Sequence, residues 1–398
     1  MGLFRVARLS TRLASLCTLL FVSSMSRFST AAGAAKEQTF DVAIVGGGLA
    51  GLYAAQLLSS SQLPAQSVVL VEAGDTLGGR LQNTDHGFDT GAAWVWQGQE
   101  NVFRALQSLD IKTFAQPGDP QSTRVEGGTH ALVDKLAEKL DICDNVNVKL
   151  GWVLESVEMN DKDDVITLKN KVTSEDETCS SDFITARKVV LAVPPRLLAQ
   201  KVSFSPALEP KKLRAMQECR TWMAGVTKVT IEYPHKFWPS QMDNFLNIGL
   251  RGGPGTSDST PAFQVYDAST VKHGQVALTF FALAPASGAL DDDQKLGLAC
   301  LRQLQETWAG AGVHPDVLQT LGDGFNLITA ARWPLNPFIS DENRPTTIHP
   351  HPHPVALLAA PAWGGKLLFA GTETDQQSPG VIEGALGSAI RVVKELKK

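Results

Sequence analysis

The sequence of 398 residues contains few cysteines, and they are scattered. The five are Cys17, Cys143, Cys179, Cys219 and Cys300. None of them forms a CxxC pair, so the sequence has neither the ligand spacing of a zinc site nor the pattern of a dense disulfide framework. We therefore expect no metal site. The scarcity of cysteine pairs also mildly favours a reducing compartment.

An excess of positive charge is also missing. The formal net charge is -5 at pH 7, whereas proteins that bind nucleic acid usually present a basic face. A nucleic-acid partner is therefore not expected. The hydrophobic share of 43% and the charged share of 19% are typical of a globular chain. At about 150 residues per domain, this length has room for roughly two domains.

Acidic residues are absent from the beginning of the chain, where the first is Glu37. Four arginines lie there instead, at Arg5, Arg8, Arg12 and Arg27. An arginine-rich, serine-rich segment without acids is typical of a mitochondrial transit peptide, so we expect a targeting leader over residues 1–35. The apolar run Leu13–Val22 leaves a secretory signal open as the alternative, and a retained anchor as a further one. Ten residues are too few to span a bilayer, so no membrane association is expected once the leader is removed.

A strand followed by closely spaced glycines is the first positive signal. Phe40–Val45 is a mostly apolar, β-branched run typical of a buried parallel strand. Gly46, Gly48 and Gly51 follow with the spacing GxGxxG, and Leu49–Leu58 has the pattern of a helix. Glycines in this arrangement allow a tight turn and a close approach of backbone to a pyrophosphate, which the helix N-terminus attracts. The segment predicts a dinucleotide site.

A second strand, Ser67–Val71, strengthens this prediction because it ends in Glu72. A carboxylate about 20 residues beyond the last glycine can accept hydrogen bonds from ribose hydroxyl groups. The same negative charge disfavours a cofactor that carries a 2'-phosphate. Shortly afterwards comes Gly78-Gly79-Arg80, in which the arginine can form an ion pair with a pyrophosphate.

From this point the chain resembles the flavin amine oxidase superfamily, which includes monoamine and polyamine oxidases and L-amino-acid oxidases. The matching motifs extend over most of the chain. They are Glu72–Gly74, Gly78–Arg80, Asp89–Trp94, Glu126–Gly128, Val189–Pro195 and Phe369–Ala385.

The resemblance implies an α/β fold in which an FAD-binding Rossmann-like domain carries a discontinuous α+β substrate domain. The expected parts are a leader at 1–35, the FAD domain at 36–205, the substrate domain at 206–354 and the C-terminal part of the FAD domain at 355–398. It also implies the residues that contact FAD. They are Gly46, Gly48, Leu49, Ala50, Gly51, Glu72, Ala73, Gly79, Arg80, Ala92, Ala93, Trp94, Leu154, Gly371, Thr372, Glu373, Val381 and Ile382.

Two side chains are candidates for catalysis. Lys228 lies in an apolar stretch, ten residues before Trp238 of a Phe-Trp pair. The monoamine oxidases have a lysine at that spacing which contacts a water at flavin N5. If Lys228 is buried, its pKa falls and it can act as a base or hold water. The alternative is an edge-strand lysine that reaches solvent. Trp333 resembles a tryptophan near the flavin, and a domain-interface aromatic residue is the alternative.

The chain departs from the monoamine oxidases in three ways. The positions of the flavin-linking cysteine and of one cage tyrosine hold Glu342 and Asn343, so we expect non-covalent FAD. Val381 replaces the second cage tyrosine. A long helical cap segment is reduced to Ala115–Glu126. Together these departures leave the substrate open.

Three other polar features are interpreted as structural. The histidines of the segment 349–354 alternate with prolines, which favours a solvent-facing loop over a metal site. His130 is interpreted as a capping or packing residue. Glu383 is interpreted as a charge at a helix N-terminus.

The resemblance implies an FAD-dependent enzyme that oxidises a carbon–nitrogen bond of a small-molecule amine or amino acid, with O₂ as acceptor and hydrogen peroxide as product. One alternative is a compact flavin oxidase or dehydrogenase that acts on a non-amine, such as a reduced nicotinamide or a polyene. Another is a flavin-binding interaction protein without catalysis. The leader predicts a mitochondrial location, with the secretory pathway as the alternative.

Overall fold

The computed structural model describes residues 39–60, 66–160, 162, 164–171, 183–238, 250, 259–270, 274–283, 290–340 and 351–397. The expected leader at 1–35 lies outside these residues, as do Glu342 and Asn343.

In chain order the strands are β1 (Thr39–Val45), β2 (Val68–Val71), β3 (Trp94–Trp96), β4 (Thr113–Gln116), β5 (Asp119–Val125), β6 (Val146–Lys149), β7 (Leu154–Asn160), β8 (Val165–Asn170), β9 (Phe183–Leu191), β10 (Ser203–Ser205), β11 (Thr227–Tyr233), β12 (Ala262–Asp267), β13 (Val276–Ala282), β14 (Leu327–Arg332) and β15 (Leu367–Phe369). The helices are α1 (Leu49–Ser59), α2 (Glu100–Ser108), α3 (His130–Asp141), α4 (Pro195–Lys201), α5 (Pro210–Glu218), α6 (Asp293–Gly310), α7 (Pro315–Asp323), α8 (Ala356–Ala359) and α9 (Ile382–Leu396).

The largest sheet has the strand order β10-β7-β8-β9-β1-β2-β6, and β15 lies beside β9. Strands β1, β2, β9 and β15 run parallel to one another. Every residue of β2 and β15 is buried, and so are the carboxyl-terminal residues of β1 and β9, which fits their runs of valine, isoleucine and leucine. Because parallel strands end at one edge, segments that are distant in sequence meet there: Gly46 after β1, Glu72 after β2, Ala192 after β9 and Gly371 after β15.

Helices cover this sheet on one face. Helices α1, α3 and α9 share one apolar core with β1 and β2. Small residues such as Ala54 and Ala55 of α1 are fully buried in this core, so the helix can approach its neighbours closely. The last helix of the chain therefore packs in the same core as the first strand, as expected for a nucleotide-binding domain that is discontinuous in sequence.

A second, antiparallel sheet has the order β12-β13-β11-β14, and we call it the substrate sheet. Every residue of β11 is buried. Val229, Ile231 and Tyr233 share an apolar core with residues of α6 and α7. Since successive side chains of a strand point to opposite faces, Lys228 lies on the other face. The strand has a neighbour on each side, so the alternative of an edge-strand lysine is wrong.

A small third sheet, in the order β3-β5-β4, occupies the segment that we expected to be a shortened cap. Strands β4 and β5 form a hairpin over Thr113–Val125. The mixed α/β architecture confirms the expected fold class, while the domain boundaries at 205/206 and 354/355 stay predictions. Within the described ranges, no helix has the length and apolarity needed to cross a membrane.

Candidate active site

A cavity of about 1160 Å³ lies at the carboxyl edge of the large sheet and extends to the substrate sheet. Pockets for single small molecules usually measure about 300–1,000 Å³. The volume exceeds this range, so the cavity has room for a ligand larger than an ordinary small molecule, such as a dinucleotide. Its walls include residues from the β1–α1 turn, from the end of β2, from β11 and from the start of α9.

The β1–α1 turn forms one end of this cavity. Gly46 has a φ of +107°, and a Cβ added there would lie 2.6 Å from the carbonyl oxygen of Ala192. A Cβ at Gly51 would lie 1.9 Å from the carbonyl oxygen of Gly46. The two glycines therefore permit the turn and the close packing of α1 on it. The N-terminus of α1 lines the cavity and supplies partial positive charge.

Glu72 is fixed at the same end by two backbone N–H groups. Its carboxylate accepts hydrogen bonds from the N–H of Gly47 at 2.6 Å and from that of Gly74 at 2.8 Å. The carboxylate lines the cavity beyond β2, in the place where a ribose-binding acid is required.

Arg80 and Glu373 join the two cofactor motifs that lie far apart in sequence. Arg80 donates to both carboxylate oxygens of Glu373, at 2.6 Å and 3.1 Å. Burial acts to lower the pKa of Arg80, but the charge of Glu373 and its hydrogen bonds outweigh burial and raise this pKa. The arginine thus stays charged where it lines the cavity.

Lys228 lies in the wall that the substrate sheet contributes, and it is 4% exposed. Its Nζ donates to the carbonyl oxygen of Gly91 at 2.6 Å, to that of Asp89 at 3.4 Å and to the hydroxyl of Tyr266 at 3.4 Å. Aromatic ring centroids surround the same atom at 5.6, 5.4 and 4.9 Å, those of Trp94, Tyr266 and Phe281 respectively.

This environment changes the ionisation of the amine. Burial lowers the pKa of Lys228 to about 7, the charge of Asp89 acts to raise it, and that of Arg124 acts to lower it. Near neutral pH the amine is therefore available in both protonation states, as a group that holds water or moves a proton must be.

Trp333, the residue directly after β14, contacts the same backbone segment. Its indole Nε1 donates to the carbonyl oxygen of Thr90 at 2.9 Å, and its side chain lines the cavity. The two candidate catalytic residues, one in β11 and one directly after β14, therefore contact three consecutive carbonyl groups, those of Asp89, Thr90 and Gly91.

All the residues predicted from the sequence to contact FAD or to act in catalysis line this cavity, except Gly51 and Glu373. Gly51 packs beneath the turn, and Glu373 holds Arg80. Sequence reasoning missed the groups that surround Lys228, namely Arg124, Tyr266 and Phe281. Phe281 is the cross-strand partner of Lys228, and strand register cannot be obtained from a motif.

Several other polar residues have structural contacts. Glu383 accepts hydrogen bonds from the backbone N–H groups of Asn101 and Val102, at the start of α2. His130 Nδ1 lies 2.6 Å from the carbonyl oxygen of Leu81. His351 packs edge-on against Trp222. In the part of the chain that the structure describes, no three His, Cys, Asp or Glu side chains are placed to hold a metal ion.

The comparison with known families agrees with this geometry. Residues 114–397 match the model of the family described as flavin containing amine oxidoreductase, and residues 44–109 match an NAD(P)-binding Rossmann-like domain. The chain belongs to the flavin containing amine oxidoreductase family. The expected superfamily is thereby confirmed, and the family implies a flavin cofactor.

Two curated proteins are similar to this chain at low identity. Human lysine-specific histone demethylase 2 is 25% identical over 73% of this chain and 32% of its own length. An L-amino-acid oxidase of Bothrops atrox is 24% identical over 67% of this chain and 48% of its own length. The chain thus spans about a third to a half of these relatives. Cyclohexylamine oxidase from Brevibacterium oxydans shares the fold, with a TM-score of 0.68, 18% identity, and coverage of 91% of this chain and 100% of the other.

The residues of the cavity fit the flavin of a flavin containing amine oxidoreductase. The tight glycine turn leaves room for a pyrophosphate, Glu72 offers a carboxylate for ribose, and Arg80, held by Glu373, offers guanidinium N–H groups in the cavity wall. Val381 and Ile382, at the start of α9, line the same cavity as Lys228, where the helix dipole favours negative charge.

Proposed function

We propose that this protein oxidises a carbon–nitrogen bond of an amine or amino acid, using non-covalently bound FAD and O₂, and that it releases hydrogen peroxide. The observation that carries the proposal is Lys228, a buried amine in the wall of a cavity that begins at a dinucleotide-type glycine turn. The chemistry that FAD supplies when bound is acceptance of the substrate's α-hydrogen with an electron pair, followed by transfer of two electrons to O₂.

The residues of the chain supply binding, orientation and control of water. Glu72 would hold the ribose, and Arg80, kept in place by Glu373, would neutralise the pyrophosphate. Lys228 would hold the water molecule that later hydrolyses the imine to a carbonyl compound and an amine or ammonia. A pKa of about 7 supports this role, because the neutral amine can accept a hydrogen bond and the ammonium can donate one.

The apolar side chains of the cavity wall support a substrate with an apolar body. They include Phe281, the cross-strand partner of Lys228, and elsewhere in the wall Phe263, Trp333, Phe338 and Ile339. An apolar wall binds a hydrocarbon or aryl group by removing its surface from water. We therefore expect cyclic and aryl amines to bind better than diamines.

Non-covalent attachment is supported by the side chains at hand. No cysteine is among the described residues that line the cavity, and Glu342 and Asn343 occupy the positions where related enzymes carry a linking cysteine and a cage tyrosine. Protein denatured in acid should release free FAD into the supernatant. Yellow colour that stays with the precipitate would contradict non-covalent binding, and a colourless, FAD-free folded protein would contradict the whole proposal.

The substrate is identified by anaerobic mixing of the FAD-bound protein with cyclohexylamine, benzylamine, putrescine, L-amino acids and reduced nicotinamides. Bleaching of the flavin absorbance by an amine or amino acid, with hydrogen peroxide formed on admission of air, is the expected result. Bleaching by reduced nicotinamide alone would replace the proposal with the non-amine alternative. Lys228→Met should slow the reaction at least tenfold, whereas Lys135→Met, on the exposed face of α3, should leave it unchanged.

A mitochondrial location is a separate proposal, supported by the arginine-rich, acid-free composition of residues 1–35. A fusion of these residues to a fluorescent protein should enter mitochondria. Entry into the secretory pathway instead would establish the alternative.

A further inference from the structure

The segment Asp89–Gly91, which we call the carbonyl segment, connects the two candidate catalytic side chains. Its three consecutive carbonyl groups accept hydrogen bonds from Lys228, Trp333 and again Lys228. The amine of Lys228 can be in one place only if this segment is in one place. The position of the catalytic amine therefore depends on what fixes Asp89–Gly91.

A buried ion pair holds the side chain of Asp89, the first residue of the carbonyl segment. One oxygen of the Asp89 carboxylate accepts from Nη2 of Arg124 at 2.9 Å, and the other accepts from the backbone N–H of Thr129 at 2.7 Å. The side chains of Asp89 and Arg124 are 0% and 1% exposed. An ion pair so far from water is costly to form, and loss of either partner would leave the other charge buried and unpaired.

Arg124 also contacts the other groups that surround Lys228. Its Nη1 donates to Oε1 of Gln116 at 3.3 Å, and the same oxygen accepts from Nε1 of Trp94 at 2.9 Å. Its guanidinium carbon lies 5.5 Å from the centroid of the Tyr266 ring. Tyr266 and Trp94 are two of the three rings around the lysine amine.

Three ionisable groups lie near the amine of Lys228. They are the Asp89 carboxylate, the Arg124 guanidinium and the Tyr266 hydroxyl. Asp267 follows Tyr266 on β12, but its carboxylate accepts from Lys236 and Trp238 instead. Asp89 acts to raise the pKa of Lys228 and Arg124 acts to lower it, so the pair presents the lysine with opposing charges.

We propose that Asp89 and Arg124 are positioning residues for Lys228: their ion pair fixes the carbonyl segment that binds the lysine amine and balances the charge that the amine meets. This positioning role depends on the proposed function in one respect only, namely the part that Lys228 takes in the reaction. The carbonyl contacts and the charge balance belong to the folded chain itself.

A purely structural ion pair makes a different prediction from a positioning pair. If the pair stabilises the fold and has no electrostatic effect at the amine, Asp89→Asn and Arg124→Gln break the same contact and disturb Lys228 in the same way. If the pair balances charge at Lys228, the first variant leaves an unpaired cation near the amine and the second leaves an unpaired anion. The protonation midpoint of Lys228 must then move in opposite directions.

The test is an NMR pH titration of FAD-bound protein that carries ¹³Cε-labelled lysine. The Lys228 signal is assigned by its loss in Lys228→Met. We expect its midpoint to fall by about one pH unit in Asp89→Asn, to rise by about one unit in Arg124→Gln, and to return close to the wild-type value in the double variant. Lys212, a second buried lysine, gives the internal control, because its midpoint should stay constant in all three.

Two results would overturn the proposal: shifts of the same sign in both single variants, or a Lys228 midpoint that stays constant in both. Each single variant is decisive by itself if the other does not fold. A Lys228 midpoint that does not fall in Asp89→Asn, or does not rise in Arg124→Gln, counts against the proposal.

Enzyme kinetics separate this proposal from the proposed function. The pH dependence of kcat for the best amine, which includes the later hydrolysis step, should move in the same direction as the NMR midpoint in each variant. If the midpoint moves and the kinetic profile does not, the ion pair positions Lys228 but Lys228 has no part in the rate-determining chemistry. That result would contradict the role of Lys228 in the proposed function and leave the positioning role standing.

Discussion

A lysine amine inside a protein keeps its proton only if its surroundings compensate for the lost water. Lys228 has carbonyl groups and aromatic rings around it, which compensate in part, and its pKa falls to about 7. Lys212 is the second case. It is 3% exposed, and burial lowers its pKa to about 8. The first lysine lines the cavity and the second does not, so the same physical effect has different consequences at the two positions.

Lys228→Met should change how stability depends on pH. The folded pKa of about 7 lies below the unfolded value of 10.5, so the unfolded state binds more protons between these values and wild-type stability rises with pH there. Methionine has no proton to bind. The stability of the variant relative to the wild type should therefore decrease by about 2 kcal/mol between pH 7 and pH 9. Urea unfolding at both pH values measures it.

Lys135→Met is the control for this prediction, because Lys135 is exposed and stays protonated in both states over the same range. A relative stability of Lys228→Met that is constant from pH 7 to pH 9 would show that the amine is not held at a lowered pKa.

Lys212→Met should destabilise the protein through a helix end. Lys212 Nζ donates to the carbonyl oxygens of Leu357 and Ala360, both at 2.7 Å, at the C-terminus of α8. Removing the donor leaves these acceptors without their cation, at a cost of about 1–3 kcal/mol. The neighbouring exposed residue gives the control Lys211→Met, expected within about 0.5 kcal/mol of wild type. Chemical denaturation compares them, and equal stabilities would refute the capping role.

At the scale of elements, the turn between β1 and α1 shows what a sequence motif can specify. The apolar run Phe40–Val45 predicted the strand, the glycine spacing predicted the turn, and the pattern of Leu49–Leu58 predicted the helix. All three are present, with β1 and α1 beginning and ending within one residue of the expected bounds. The reason is physical, because only a residue without Cβ fits at two of these positions.

Gly51→Ala should destabilise this turn, because the added Cβ would lie 1.9 Å from the carbonyl oxygen of Gly46, a backbone atom that cannot rotate away. Gly48→Ala is the matched variant, since its Cβ would have no neighbour closer than 3.9 Å. We expect Gly51→Ala to lower the melting temperature of the FAD-free protein by at least about 5 °C and Gly48→Ala by less than about 2 °C. Equal melting temperatures would refute the packing argument.

Elements without a local motif could not be predicted. The hairpin of β4 and β5 occupies a segment that was expected only as a shortened cap, since its polar residues, such as Asp119 and Gln121, lack the alternation of a half-buried strand. The sequence around Arg124 in that hairpin gives no sign that this arginine is buried, because its partner Asp89 lies 35 residues earlier in the chain. Helix α7 was missed for a related reason, because only Leu321 in it is buried.

At the scale of the whole molecule, the site is assembled from segments that are far apart along the chain. Arg80 and Glu373 meet across almost the full length of the described chain, and Asn101 binds Glu383 beside them in the same domain. Lys228 and Trp333 bring the substrate sheet to the carbonyl segment. The cofactor motifs could be predicted from the sequence because each is local. The surroundings of Lys228 could not be predicted, because they depend on how the sheets pack.

Removal of the proposed FAD should therefore loosen several distant segments together. A ligand that binds only the folded state stabilises it by an amount that grows with ligand concentration, so the melting temperature should rise as FAD is added to the FAD-free protein. Hydrogen exchange should become slower at residues 46–51 and 371–385 in the same titration, because both segments contribute to the cavity wall. Helices α6 and α7 pack on the far face of the substrate sheet and serve as the internal control, with unchanged exchange. Protection confined to one of the two segments would contradict a cofactor that spans them.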